Sequence, residues 1–181
     1  ISKAFLYIIK PNLHILNSRH FSYMQKHKHM YQDIVMINNA IEPFDTSMMT
    51  DVALDRQYFN VCYIKSIRED TGHDDIIKLG ILIKQKSSKI LIHIIGEGPL
   101  YEDFQNKILK HKLENVIVTY GFIENKKALS MLSNMDLGIT VSPIEMLPNF
   151  ILECFSVGIP AIGYETQGIE DLIVYNVLAS K

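Results

Sequence analysis

Ile90-Leu91-Ile92-His93-Ile94-Ile95, closed by Gly96-Glu97-Gly98-Pro99, decides the fold of this chain. A strand buried on one face alternates apolar and polar residues. This run is nearly continuous, as in a strand covered on both faces. The glycines then punctuate it, and Pro99 suits the first turn of a following helix.

The pattern repeats outward from there. Upstream, Phe59–Ile64 reads as a strand. Asp74–Gln85 has helical spacing, with Ile76, Leu79 and Ile83 on one face, Ile77 and Ile81 beside it, and Gly80 as an interruption. Downstream, helices are predicted over Leu100–His111, Lys126–Ser133 and Pro148–Val157, the last ended by Gly158. Strands are predicted over Val116–Val118, Leu137–Val141 and Ile159–Gly163, and Ile169–Val174 opens a final helix. Strict alternation of strand and helix calls for an α/β, Rossmann-like parallel sheet with helices on both faces. Such sheets bind ligands at the carboxyl ends of their strands, where strand order reverses. The loops after Ile64, Ile95, Tyr120 and Val141 are therefore expected to face a ligand.

The first residues stand outside this series. Strand-like Asn12–Asn17 and Ile34–Ile37 flank a helix-like Arg19–Gln32, and Asn38-Asn39 marks a turn. Residues 1–41 are read as the end of a preceding α/β domain, 42–58 as a linker and 59–181 as the main domain. The chain starts with Ile and stops soon after its last helix begins. It is expected to be a piece of a longer protein, truncated at its C-terminus.

Composition narrows the function classes. The 181 residues are 48% hydrophobic and 21% charged, with a net charge of -2. A nucleic-acid binder would normally carry a basic excess, so none is expected as a partner. No apolar stretch reaches the roughly 18 residues of a membrane span, and no secretory signal pattern opens the chain. Cys62 and Cys154 are the only cysteines. Two reduced, buried thiols suit the cytosol, the expected compartment.

Two stretches carry chemistry. Gly96 and Gly98 follow a buried strand and precede a helix, where glycine permits close backbone approach and helix-start N–H groups attract anions. Tyr101 breaks the G-x-G-x-x-G fingerprint, which excludes a nicotinamide or flavin reading. The second stretch runs from Ser142 to Glu153, out of a strand and into a helix. Glu145 lies in its loop. Glu153 lies inside its helix among Phe150, Ile151, Leu152, Cys154 and Phe155, an apolar setting for a carboxylate without a task. A carboxylate can accept charge-assisted hydrogen bonds from both hydroxyls of a ribose.

The run from Glu145 to Ile162, E-M-L-P-N-F-I-L-E-C-F-S-V-G-I-P-A-I, resembles the E-x7-E signature of retaining glycosyltransferases of the GT-B fold. Other segments fit in the same order. L-I-H-I-I-G-E-G-P resembles the family's strand ending in G-x-G-P, Tyr120-Gly121-Phe122 its base-side motif, and Asp136-Leu137-Gly138 its strand entry. Gln167-Gly168-Ile169-Glu170-Asp171 is similar to its G-G-x-x-E. Val35–Glu42 is similar to the segment closing the acceptor domain.

The resemblance implies the donor-binding half of a GT-B enzyme. A UDP- or GDP-sugar would be the donor, and a glycan or lipid-linked molecule the acceptor. The sugar would move with retention, and neither metal nor other cofactor would be required. Glu153 would hold the ribose and Glu145 the sugar. Leu147, Pro148 and Asn149 would form the turn whose backbone meets the sugar or diphosphate. Gly96 and Gly98 would line the cleft, and Phe122 would lie by the base.

Departures matter as well. The family's diphosphate-neutralising Arg and Lys align with Ser66 and Thr71. Lys65 and Arg68 lie close by as substitutes, Arg68 the better suited because a guanidinium grips two phosphate oxygens. Met146 stands where Gly is common, a strained place if its φ is positive. The alternative reading is a non-catalytic module binding nucleotide sugar or a partner chain. A GT-B relative isomerising UDP-sugars fits the motif order less well. His20, His27 and His29 read as surface histidines, and His73 as a local contact at a helix start. The basic helix end at Lys107, Lys110, His111 and Lys112 is read as a solvated face, with peripheral contact to the inner face of a membrane as the lesser reading.

Overall fold

The computed structural model describes residues 6, 9–45, 47, 54–145, 147–166, 168, 169 and 172. They divide into two compact units. One takes the described residues up to Ala40 with those of Glu145–Asn149 and those from 165 onward. The other takes the described residues of Ile41–Ile144 and Phe150–Tyr164.

In the first unit, β1 (Leu13–Ile15) and β2 (Ile34–Met36) pair in parallel, Leu13 opposite Ile34. Between them α1 covers Ser18–Gln25, capped by Asn17, whose side chain accepts from the His20 N–H at 2.9 Å. The helix expected to reach Gln32 thus stops at Gln25. A 3₁₀ turn over Lys28–Met30 replaces its end and turns Met30 inward, where it is buried.

The second unit holds a five-stranded parallel sheet. Its strands are β3 (Phe59–Ile64), β4 (Ile90–Ile95), β5 (Ile117–Thr119), β6 (Leu137–Thr140) and β7 (Ala161–Gly163), in spatial order β5-β4-β3-β6-β7. The helices between them are α2 (His73–Gln85), α3 (Tyr101–Lys110), α4 (Asn125–Leu132) and α5 (Asn149–Ser156). The chain builds outward from β3 through β4 to β5, then crosses to β6 on the other side. The reversal between β3 and β6 is the switch point where such sheets hold ligands.

Period-2 alternation sorts each strand's residues between two cores. Val61, Tyr63, Ile92 and Ile94 join Ile76, Ile83, Phe104 and Ile108 of α2 and α3. Cys62 and Ile95 join Ala128, Leu132, Phe150 and Cys154 of α4 and α5. Helices cover both faces, which is why the sequence of β4 does not alternate. Gly80, the interruption in α2, lies where a Cβ would crowd Ile117 at 2.8 Å and Leu113 at 3.2 Å. Glycine there lets the helix sit close to β5.

One polar chain crosses the sheet. Asn60 donates from Nδ2 to the carbonyls of Tyr58 (2.9 Å) and Asp55 (3.4 Å), so its Oδ1 is an acceptor. His93 Nε2 lies 2.8 Å from that oxygen and must donate to it. His93 Nδ1 therefore accepts from the Tyr120 hydroxyl at 2.9 Å, with the two rings stacked. Burial holds the His93 pKa below the ordinary histidine value.

Candidate functional site

Three loops leave the carboxyl edge of β3, β4 and β5, and backbone hydrogen bonds lace them together. Lys65 N donates to Ile95 O (3.0 Å), Ile67 N to Glu97 O (3.1 Å), Leu100 N to Ile67 O (3.0 Å) and Gly96 N to Gly121 O (2.8 Å). A Cβ on Gly96, whose φ is 139°, would collide with the Lys65 carbonyl, and one on Gly98 with the Ile67 carbonyl. The close approach that these glycines allow is to the neighbouring loop.

The loop after β3 is folded onto itself. Thr71 Oγ1 donates to Arg68 O at 2.7 Å, and Thr71 O accepts from the buried Tyr63 hydroxyl at 2.7 Å. Burial pushes the Tyr63 phenol up to about 12. Gly72 then turns into α2 with φ 78°, at a place where a Cβ would collide with the Val141 carbonyl. Across the switch point, Ser142 Oγ lies 3.1 Å from Asp70 O and 3.2 Å from Ile144 O. Thr71, which stands where the resemblance expects a lysine, is buried and engaged in shaping this loop.

The two substitute cations sit on the same loop. Arg68 is exposed and Lys65 half-buried. Burial, and secondarily the Arg68 charge, hold the Lys65 pKa below the ordinary lysine value. The Arg68 charge thus acts on Lys65 across the same loop.

Phe122 follows buried Gly121 at the end of β5 and is 76% exposed, beside a hollow of about 460 Å³ lined also by Ile123, Glu124, Lys127 and Met131. An aromatic face left in water at a loop tip can take a planar apolar ligand.

Glu153 lies on α5, half-buried, and burial pushes its carboxyl above the usual range. Its neighbours Phe150 and Cys154 are buried against β6, where a Cβ on Gly138 would run into Cys154 Sγ. Cys62 and Cys154 are both free and buried. The Cys154 thiol is pushed to about 12 by burial and by the Glu153 charge.

In the first unit, Glu145 is half-buried and its carbonyl accepts from Gly168 N at 3.1 Å. Leu147 and Pro148 are buried and Asn149 is exposed. Asn39 Nδ2 donates to Leu147 O (3.2 Å) and Asn149 Oδ1 (2.7 Å). Met146, Gln167, Glu170, Asp171 and most of the expected last helix lie outside the described residues.

The structure thus gathers Lys65, Arg68, Gly96 and Gly98 on two laced loops of one unit. It gathers Glu145, Leu147, Pro148 and Asn149 on one segment of the other. The sequence marks Thr71, Ser142, Tyr120 and Asn39 but does not foretell their hydrogen-bond partners. Each acts through a hydrogen bond to a distant or backbone atom, which no local pattern announces. His73 is buried, with its ring edge-on to Phe104 at 6.1 Å. Lys107 is held by Asp74 (2.8 Å) and Asp103 (2.6 Å). Among the described residues, no three His, Cys, Asp or Glu side chains are grouped to hold a metal ion. No helix among them is long and apolar enough to cross a membrane.

Known proteins resemble this chain in sequence and in fold. The chain is 28% identical over 91 residues to chitobiosyldiphosphodolichol beta-mannosyltransferase of Candida glabrata, covering 49% of this chain and 20% of that protein. It is 26% identical over 113 residues to alpha-D-kanosaminyltransferase of Streptomyces kanamyceticus, covering 62% and 29%. The chain therefore matches less than a third of the length of either relative. The structure of Anabaena HepE in complex with UDP and glucose superposes with a TM-score of 0.69 at 16% identity, over 95% of this chain and 51% of that one. That likeness shows the fold alone, a Rossmann-like parallel sheet flanked by helices as in GT-B proteins. The sequence pattern of the glycosyl transferases group 1 matches residues 46–179, well over half of the chain, and the chain belongs to that family.

Proposed function

We propose that this chain is the donor-binding part of a glycosyltransferase. In this reading it takes a hexosyl or N-acetylhexosaminyl group from a UDP- or GDP-sugar and passes it, with retention, to a glycan or lipid-linked acceptor. The observation that carries the reading is the pair of cations, Lys65 and Arg68, on a loop held at the switch point of a parallel sheet. A diphosphate leaving group develops negative charge, and fixed positive charge nearby lowers that barrier. The UDP in the HepE complex supports a nucleotide donor.

The roles follow the chemistry of each group. Arg68 and Lys65 meet the diphosphate. Glu153 accepts from the ribose hydroxyls and Glu145 from the donor sugar. The Leu147–Asn149 turn offers backbone N–H groups, while Pro148, which has none, shapes it. Gly96 and Gly98 keep the cleft wall low, and Phe122 lies against the base. Residues 1–41 would close the acceptor domain, 42–58 would link, and 59–181 would hold the donor. The relatives' names specify a β-mannosyl product in one and an α-D-kanosaminyl product in the other. Retention in this chain is read out by comparing the anomeric configuration of the product with that of the donor. The accompanying setting is cytoplasmic, with Lys110, His111 and Lys112 as a peripheral contact to a membrane surface.

Calorimetry with UDP and GDP on the full protein tests the reading. Glu153→Ala is expected to weaken binding roughly tenfold or more, the loss of at least one charge-assisted bond. A folded protein that binds neither nucleotide would sink the proposal. Thr71, in place of the family's lysine, favours a second reading, a module that binds donor and transfers nothing. Donor hydrolysis assayed over a panel of nucleotide sugars separates the two.

A further inference from the structure

We infer that Asn39 is a positioning residue for the Leu147–Asn149 turn. The inference rests on the proposal that this turn meets the donor. Asn39 lies 108 and 110 positions from the two groups it holds, the Leu147 carbonyl at 3.2 Å and Asn149 Oδ1 at 2.7 Å. One nitrogen with two hydrogens satisfies both acceptors at once. Aspartate has no such donor, alanine has none, and glutamine is longer by a methylene.

The turn is short of freedom elsewhere. On its upstream side, the Glu145 carbonyl is taken by Gly168 N at 3.1 Å. The Leu147 carbonyl belongs to the peptide that enters Pro148, whose ring locks φ near -65°. Fixing that carbonyl therefore leaves few soft torsions before the Asn149 N–H. The second bond holds the Asn149 side chain, the first residue of α5. Asn39 thus turns the carbonyl and the side-chain oxygen toward itself, which sets where the Asn149 N–H points. Preorganised N–H donors gain strength over donors that must be ordered on binding.

The test measures UDP affinity and donor KM in the full chain for the wild type, Asn39→Ala, Asn149→Ala and the double variant. Asn39→Ala is expected to weaken UDP about tenfold and Asn149→Ala about threefold. The double variant is expected to bind no more weakly than Asn39→Ala alone, because both act through one amide. Donor KM rises in step and acceptor KM stays. Asn149 is exposed, so its variant keeps the test open should Asn39→Ala fail to fold. If the wild type binds neither UDP nor GDP, the donor-site reading falls and this inference with it. If the wild type binds and Glu153→Ala weakens it, but Asn39→Ala binds like the wild type, or the two single losses add, the inference alone is overturned. A lowered melting temperature with unchanged affinity overturns it too, since it marks a purely structural role.

Discussion

Lys65 and Glu153 are both displaced from their ordinary titration, and in opposite senses. Burial, then the Arg68 charge, lowers the Lys65 pKa below 10.5; burial raises that of Glu153 above 4.5. In the proposed roles each works in its charged form, Lys65 on a diphosphate and Glu153 on a ribose. Each is therefore held closer to losing its charge than a free side chain would be. An anion beside Lys65 favours its protonated form, and hydroxyls donating to Glu153 favour its ionised form. By linkage, affinity for UDP falls on the acid side starting above the usual carboxylate range, and on the alkaline side starting below the usual lysine range. Calorimetry from pH 5 upward on the wild type, Glu153→Gln and Lys65→Met reads this out. The glutamine variant is expected to lose the protein's acid limb and the methionine variant its alkaline limb. The nucleotide's own titrations are common to all three and cancel in the comparison. Limbs of the same slope in variants and wild type would remove both residues from the site.

The position of Glu153 depends on how closely its helix lies on the sheet. Gly138 on β6 is buried, and a Cβ there would meet Cys154 Sγ and come within 3.1 Å of Phe150. Gly138→Ala must push α5 outward, because Cys154 lies in a filled core. Overpacking of this kind costs about 1–3 kcal/mol. A lower urea midpoint is expected, and weaker UDP binding in the protein that remains folded. Unchanged affinity would mean that the helix absorbs the shift without moving Glu153. This packing also marks what the sequence reveals at the level of elements. Phe59–Ile64 and Ile90–Ile95 are legible to the residue, because six-residue apolar runs rich in β-branched or aromatic residues are too short for a core helix. Arg19–Gln32 is not, because polar residues at helical spacing do not show where tertiary packing bends the chain to bury Met30. Gly96 and Gly98 are legible as special positions. Their neighbours, the Lys65 and Ile67 carbonyls, belong to a loop some thirty residues away, which local pattern cannot supply. The candidate carboxylates are readable from spacing, whereas Asn39 is invisible until its partners are placed.

For the molecule as a whole, the sheet is tied across its strands by something other than apolar burial. Tyr120, His93 and Asn60 form one directed chain in which each polar atom between the strands has its partner. A buried chain of this kind contributes only when complete, and each orphaned member costs about 1–3 kcal/mol. His93 is neutral in it. Its Nδ1 lone pair accepts the Tyr120 proton, and burial lowers its pKa below the 6.5 of a free histidine. Protonation would place a second hydrogen on Nδ1 and a charge in the core. The sign of the pH effect follows. Above about 6.5 the histidine is neutral folded and unfolded, and the chain contributes in full. As pH falls through that value, the unfolded protein takes up a proton that the folded one refuses, and stability declines by up to ~1.4 kcal/mol per pH unit until the folded pKa is reached. His93→Gln abolishes this titration while retaining an amide that can still donate to Asn60. Urea denaturation at pH 7.5 is expected to show the variant less stable than the wild type by about 1–3 kcal/mol. The gap should narrow steadily toward pH 5, because only the wild type loses the His93 contribution. Carboxylates titrate in both proteins and drop out of the difference. A gap that stays constant over that range would show that His93 is not held neutral, and that the chain across the sheet does not depend on its tautomer.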